Sequence, residues 1–423
     1  MTENSEQIAV IGLGYIGLPT AAMLASRGAR VLGVDVKEDV VATVNRGEIH
    51  IVEPGLAEVV SQTVSSGALR ASTAPEASQA FLIAVPTPFK GPDHEPDLRF
   101  VEQAARSIAK VLKTGDIVIL ESTSPVGATE QMAGWLAEER PDLSFPQDAD
   151  DDADINIAYC PERVLPGKVM QELIENDRVI GGMTARCSER AARLYGRFVT
   201  GTCIRASSPR VAEMCKLTEN SFRDVNIAFA NELSIICDRL GIDVWELIEL
   251  ANRHPRVNVL QPGPGVGGHC IACDPWFIVS SAPEEARLIR TARNVNDDKP
   301  GWVMRKVEEA LRGLSEQTGQ PQENLTLACY GLAFKPDIDD LRDSPSLAIA
   351  RQLAGSHTGT VKLIEPNIEE LPSGLEGASL TDTEDAAEAD LHLLLVDHRE
   401  FKAMPCPRGH VLDMRGIWRQ TCE

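Results

Sequence analysis

The chain is short of positive charge: 41 Lys and Arg stand against 63 Asp and Glu in 423 residues, a formal net charge of −22. Phosphate backbones and anionic membranes are repelled by such a chain, which argues against nonspecific nucleic-acid or lipid binding. Small anions are not excluded, because local backbone N–H groups and a few cations suffice to hold them. Also missing is any apolar run long enough to cross a bilayer. The opening "MTENSEQIAVIGLGYIGLP" is polar and then strand-like, unlike a signal peptide, so the expectation is a soluble cytoplasmic protein. The ten cysteines follow no regular framework, which predicts reduced thiols. No short-period repeat is present. Lysine is scarce beside arginine, and "QDADDDAD" (Gln147 to Asp154) reads as a solvated acidic loop, with salt adaptation as the sharper alternative.

What is present is alternation. At 423 residues the chain exceeds one ordinary hydrophobic core, so several domains are expected. "IAVIG", "RVLGVDV", "AFLIAVPTP", "DIVILES" and "INIAYC" read as strands separated by helix-like segments, the pattern of a doubly wound parallel α/β sheet. A long helix then follows, with Ser208 as N-cap, Pro209 at its first position and Gly241 just past its end. Its apolar positions, among them Val211, Met214, Leu217, Phe222, Ile227, Leu233 and Ile236, lie on more than one side, as in a helix buried between domains or subunits. From about Leu325, "LTLACYGLAFK", "VKLIEP" and "ADLHLLLVD" restart the alternation. The expected division is a Rossmann-like domain over 1–203, a central helical and dimerisation region over 204–300, and a second, smaller Rossmann-like domain over 301–423.

Gly12-Leu13-Gly14-Tyr15-Ile16-Gly17 fits G-x-G-x-x-G between a strand and a helix, and Asp35 closes the next strand about 20 residues later. Gly12 permits the turn, Gly14 lets the backbone approach a pyrophosphate, and Gly17 lets the helix pack closely. Asp35 accepts hydrogen bonds from a ribose diol and repels a 2′-phosphate, which selects NAD over NADP. In "GPGVGGHCIACDPWF", Cys270 and Cys273 allow three readings: half a zinc site, a dithiol pair, or one nucleophile beside an unrelated thiol. No second C-x-x-C or suitable Cys/His pair completes four zinc ligands, so no metal is expected. Lys216 and Asn220, spaced i, i+4, project from one face of the long helix. "YGLAFKPDIDDLRDSPS" lacks the dinucleotide spacing, which implies a different ligand; its Lys335 and Arg342 suit a phosphate, although Asp339 or Asp343 could instead pair with Arg342.

The motifs "GLGYIGLP", "AVPTP", "ESTSPVG", "YCPERVLPGK", "AEMCKLTEN", "GPGVGGHC" with Asp274, and "GLAFKPDIDDLRDSPS" occur in this order. Together they resemble the UDP-glucose/GDP-mannose dehydrogenase family over nearly the whole chain. "PERVLPGK", "NRHPRVN" and "GGHCIACDPWF" are most similar to members oxidising UDP-N-acetyl-D-mannosamine at C6. The resemblance implies an NAD-dependent, two-step, four-electron oxidation to the uronate through a Cys-linked thiohemiacetal and thioester. UDP-N-acetylglucosamine and UDP-glucose are the alternative substrates, and a noncatalytic nucleotide-sugar or NAD-binding regulator is the alternative class.

It assigns Cys270 as nucleophile, near the start of a helix whose dipole would lower its pKa. Lys216 would stabilise the oxyanion, Asn220 would position an ordered water or the substrate, and Asp274 would hold that water or Lys216. Glu162 would activate the hydrolytic water, with Thr123 near the nicotinamide. Gly12, Gly14, Tyr15, Ile16, Gly17, Asp35, Pro86, Thr87 and Thr123 fall to the cofactor. Glu162, Arg163, Val164, Leu165, Lys216, Asn220, His254, Arg256, Gly267, Lys335 and Arg342 fall to the UDP-sugar. The loop bearing His254 and Arg256 would reach a neighbouring subunit, implying a homodimer or larger assembly that makes uronate for surface polysaccharide. Cys273 reads as a small core hydrophobe, or as the partner of Cys270 in an oxidative switch.

Overall fold

The computed structural model describes residues 7–91, 94–164, 167–268 and 270–419. Two compact units emerge: Met1–Glu219 with Trp276–Pro283, and Asn220–Pro275 with Glu284–Glu423.

The first unit carries strands β1 (Gln7–Ile11), β2 (Arg30–Val34), β3 (Leu69–Ser72), β4 (Ala80–Ile83), β5 (Phe89–Lys90), β6 (Glu95–Pro96), β7 (Ile117–Leu120), β8 (Asn156–Tyr159), β9 (Arg178–Gly182) and β10 (Cys203–Arg205). Eight of them form one sheet in the order β10-β9-β8-β7-β4-β1-β2-β3, while β5 and β6 make a separate antiparallel pair. Every pairing in the large sheet is parallel except β8 with β9. The central strands are apolar throughout because helices cover both faces. Pleating divides them: Ile8, Val10 and Leu82 enter one core, Ala9, Ile11, Phe81 and Ile83 the other. The strand order reverses between β1 and β4, the switch point where open α/β sheets leave a crevice at their carboxyl edge.

The long helix spans Pro209–Leu240, 32 residues, with Pro209 at its first position as expected. Ser208 Oγ accepts from Val211 N at 3.4 Å, and Gly241 follows the helix at φ 67°. Only part of its apolar surface is covered within the chain. Leu217 is buried, but Val211, Met214, Phe222 and Ile236 are exposed.

The second unit contains a helix Arg287–Thr318 and an all-parallel sheet of β11 (Thr326–Tyr330), β12 (Thr360–Ile364), β13 (Ala378–Leu380), β14 (Leu391–Leu394) and β15 (His410–Asp413) in the order β13-β12-β11-β14-β15. The doubly wound pattern therefore recurs, as the sequence suggested. The strands β3, β9, β10, β13 and β15 were not anticipated, since none carries more than two consecutive aliphatic residues to mark it.

Among the described residues no helix is long and apolar enough to cross a membrane. The expectation of reduced thiols holds for eight cysteines, Cys270 and Cys273 included, but fails at Cys406, which is disulfide-bonded.

Candidate active site

Parallel register gathers the expected residues of the first unit at one edge. β1, β4, β7 and β8 end at Ile11, Ile83, Leu120 and Tyr159, so Gly12, Pro86, Thr87, Thr123 and Glu162 all lie just beyond strand ends. Gly12 adopts φ 93°, and a Cβ there would sit 2.5 Å from the Ala84 carbonyl oxygen; one on Gly17 would sit 1.8 Å from that of Gly12. Nothing lies within 4 Å of a Cβ built on Gly14, which leaves its backbone open on that side. The helix Gly17–Ser26 has no side-chain cap, so its N-terminal N–H groups remain suited to a pyrophosphate. Ile16 is its N-cap residue, and Tyr15 packs against the core below.

Asp35 follows β2 directly. It accepts from Leu13 N and Lys37 N at 3.0 Å each, bracing the glycine loop while each oxygen keeps a second lone pair for a ribose hydroxyl. This donor set fits a dinucleotide lacking a 2′-phosphate. Thr87 donates to the Thr123 carbonyl at 2.5 Å, tying together the loops after β4 and β7.

Glu162 is buried. Its Oε2 accepts from Arg178 Nη1 at 2.5 Å and its Oε1 from Arg163 N at 2.6 Å. The Arg163 guanidinium is engaged by Glu219 at 2.6 Å and by the Asp177 carbonyl at 3.0 Å, so the side chain pins its loop. Val164 is half-buried beside it, and Leu165 lies outside the described residues. Farther along the chain, Gly167 N and Val169 N donate to buried Glu53 at 2.9 and 2.8 Å. No motif had singled out Glu53 or Arg178.

Lys216 is buried on the long helix and has no hydrogen-bond or ion-pair partner among the described residues. An ammonium held this way is costly unless a ligand completes it. One turn on, Asn220 Nδ2 donates to Asp274 Oδ2 at 2.5 Å.

The cysteine loop belongs to the second unit and differs from expectation in two ways. Helix Asp274–Ser281 starts four residues after Cys270; the Cys270 carbonyl instead accepts from Asp274 N at 2.9 Å and Cys273 N at 3.2 Å, closing a turn ahead of the helix. The glycines are also packing residues. A Cβ on Gly267 would stand 2.6 Å from the Asp343 carbonyl oxygen and 2.8 Å from Phe334 Cβ, and one on Gly268 would stand 3.0 Å from the Phe334 ring. The loop thus seats on the "AFKP" and "RDSP" segments. Farther back, Gly263 N donates to Asn231 Oδ1 at 2.9 Å, and Asn231 bonds Asn296 at 2.8 Å. Cys270 is exposed, whereas burial pushes the Cys273 thiol up to about 12, with Asp274 and Asp343 adding to the shift. A thiol so hard to ionise is a poor partner for an oxidative switch.

In the second sheet, Lys335 is half-buried in the loop after β11. Arg342 pairs with Asp340 at 2.6 Å, and a turn also brings Arg342 N to Asp340 Oδ1 at 3.0 Å. Arg253, His254 and Arg256 are exposed after the helix Val244–Ala251. An unanticipated cavity of about 530 Å³ is lined by Trp245, Asn252, Arg253, Asp397, Arg415 and Arg419. Asp337, His398 and Glu400 cluster closely enough to hold a metal ion, but His398 Nδ1 accepts from Asp337 N at 2.9 Å and its Nε2 faces Glu365 at 3.1 Å, so both ring nitrogens are engaged.

Glu365 occupies in this sheet the place Asp35 holds in the first. Gly12 N donates to the Val34 carbonyl at 2.7 Å and Leu13 N to Asp35; Gly331 N donates to the Ile364 carbonyl at 2.8 Å and Leu332 N to Glu365 at 2.7 Å. Buried Glu365 also accepts from Ala333 N, Asn367 N, Asn367 Nδ2 and His398 Nε2, at 3.0 to 3.1 Å.

Three segments match UDP-glucose/GDP-mannose dehydrogenase family models: the NAD binding domain over 6–199, the central domain over 210–298 and the UDP binding domain over 328–420. A UDP-N-acetyl-D-mannosamine dehydrogenase of Yersinia pestis is 64% identical, covering 98% of this chain and 99% of the relative. An NDP-N-acetyl-D-galactosaminuronic acid dehydrogenase of Ralstonia nicotianae is 59% identical over 97% of this chain and 96% of the relative. The solved UDP-N-acetyl-mannosamine dehydrogenase of Staphylococcus aureus superposes with a TM-score of 0.85 at 41% identity, covering 97% of this chain and 95% of that one. The chain therefore belongs to the UDP-glucose/GDP-mannose dehydrogenase family and is an NAD-dependent dehydrogenase of a UDP-sugar.

Proposed function

We propose that the chain oxidises C6 of UDP-N-acetyl-D-mannosamine to the carboxylate through a covalent intermediate on Cys270, in the cytoplasm and as a homodimer or larger assembly. The observation that carries this reading is the long helix itself. It presents buried Lys216, without a hydrogen-bond or ion-pair partner among the described residues, one turn from Asn220, whose amide is bonded to Asp274.

NAD, when bound, accepts one hydride in each of two rounds. Loss of the first hydride and the hydroxyl proton turns the C6 alcohol into an aldehyde, with Lys216 stabilising negative charge on the oxygen. The Cys270 thiolate adds to the carbonyl carbon, and the thiohemiacetal gives up the second hydride to become a thioester. Glu162 takes a proton from water as that water attacks; the C–S bond breaks, thiolate leaves and the uronate is released. The loop after Glu162 would wrap the sugar, and Lys335 would meet the diphosphate.

Self-association is supported by the same helix. Phe222, Phe229 and Ile236 recur every seven residues and are 70%, 55% and 43% exposed, an apolar stripe left uncovered within one chain. The exposed Arg253–Arg256 loop is then available to an adjoining subunit.

The sugar assignment rests on the relatives at 63–64% identity named for N-acetylmannosamine. The relative at 59% named for a galactosaminuronic acid motivates a second arm, UDP-N-acetylgalactosamine. Purified protein should form two NADH per UDP-N-acetylmannosamine, with lower kcat/KM for the galactosamine, glucosamine and glucose analogues. Preference for another sugar overturns the substrate, one NADH per sugar overturns the second oxidation, and none overturns the enzyme reading. Cys270→Ala should release no uronate.

A further inference from the structure

Behind Glu162 lies a buried group of ionisable side chains that the mechanism above leaves unused. It is built at the one antiparallel pairing of the large sheet, β8 with β9. Because β9 runs against β8, with Tyr159 opposite Gly181, its first residue arrives at the carboxyl edge, where a parallel strand would deliver its last. That first residue is Arg178, and Glu162 stands three residues beyond β8. Arg178 is 1% exposed; besides Glu162 it donates to the Leu173 carbonyl at 3.1 Å, and its guanidinium carbon lies 5.4 Å from the centre of the Tyr195 ring and 6.0 Å from that of Phe198. Tyr195 donates its hydroxyl to Glu121 Oε1 at 2.6 Å, and Glu121 directly follows β7. Cys160 completes the set, fully buried, as is Tyr195. Two buried polar atoms, Glu121 Oε2 and Arg178 Nε, have no hydrogen-bond partner among the described residues.

Two buried carboxyl groups therefore lie in the field of one guanidinium, Glu162 bonded to it directly and Glu121 linked to it through the Tyr195 ring beside Arg178. We propose that Arg178 is a positioning residue that fixes the direction of the Glu162 carboxylate, and that Glu121, held by Tyr195, sets the basicity of Glu162 through their shared interaction with Arg178. This rests on the reading of Glu162 as the hydrolytic base.

The charge count gives the direction. With Glu121 neutral, Arg178 and Glu162 form a balanced pair. When Glu121 ionises, a second negative charge competes for Arg178 and weakens its neutralisation of the Glu162 carboxylate. Coupling of this kind is reciprocal. Burial raises the Glu121 carboxyl to about 7; Tyr195 and Arg178 pull it down, and Glu162 pushes it up. The groups facing Glu121 are thus Tyr195, Arg178, Glu162 and Cys160, and burial keeps the last protonated by raising its thiol far above the ordinary range. Hydrolysis of the thioester should accordingly accelerate as pH rises through about 7, without matching change in the hydride steps.

Single-turnover experiments with NAD and UDP-N-acetylmannosamine, following NADH formation and decay of the Cys270 thioester by intact mass, separate these steps. Glu121→Gln should remove the inflection in thioester decay near neutral pH while both NADH equivalents still form. Tyr195→Phe, which keeps the packing, should move the inflection to higher pH, because the bond it deletes favours ionised Glu121. Arg178→Lys should slow decay at least tenfold at every pH. Formation of NADH reports that each variant is folded; should Glu121→Gln fail this, Tyr195→Phe decides. An inflection that stays in place in the folded variants overturns the proposal. Glu162→Gln distinguishes the two levels: normal decay in that variant removes the base reading itself. Blocked decay there, with unchanged pH profiles in the other variants, removes only the role of Glu121 and Arg178.

Discussion

Asp35 does two jobs with four lone pairs, bracing Leu13 N and Lys37 N while keeping capacity for a diol. Asp35→Asn should weaken NAD binding roughly tenfold or more, in line with the ~1.5–3 kcal/mol of a hydrogen bond to a charged group, and narrow the preference for NAD over NADP. Titration calorimetry with both cofactors measures this. Lys299 makes a different prediction. Burial lowers its ammonium to about 7, partly opposed by Asp238, although it donates to Ser234 at 2.5 Å and lies 3.7 Å from the centre of the Trp302 ring. A lysine depressed by folding binds fewer protons in the folded than in the unfolded state between that value and its ordinary one near 10.5. The penalty is therefore complete below pH 7 and fades as pH climbs. Lys299→Met should raise Tm relative to the parent at pH 6 and lose most of that gain by pH 9.5; an equal gain at both would contradict this assignment.

The long helix acts at the scale of an element, joining Lys216 and Asn220 to an uncovered apolar stripe. Phe222→Glu with Phe229→Glu should reduce the assembly to the mass of one chain in light scattering, and an unchanged mass would locate any interface elsewhere. Most of this helix was legible in advance, since Pro209 and Gly241 punctuate it and its apolar period is long. β1, β2, β4, β7 and β8 were legible for a similar reason, as apolar runs ended by glycine, proline or polar residues. Arg178 and Glu53 were not legible. Their partners are brought by chain reversals 16 to 116 residues away in sequence, and nothing local marks a buried acid or guanidinium as different from a surface one. The glycines before Cys270 were seen but read as exposing backbone. Their contact with Phe334 and the Asp343 carbonyl required knowing that two segments more than 60 residues apart meet.

At the scale of the whole molecule, a doubly wound sheet occurs twice, and the two copies differ at the acid after the second strand. Asp35 keeps room for a ribose; Glu365 spends its oxygens on five protein donors, two of them from the loop it braces. Titration with NAD should accordingly saturate at one per chain, and two would mean that the second sheet accepts it. A single seat for an oxidant that is needed twice makes turnover a problem of waiting. NADH must leave and fresh NAD must enter while a half-oxidised sugar stays behind, and the tether to Cys270 proposed above would turn that interval from a chance for escape into a pause.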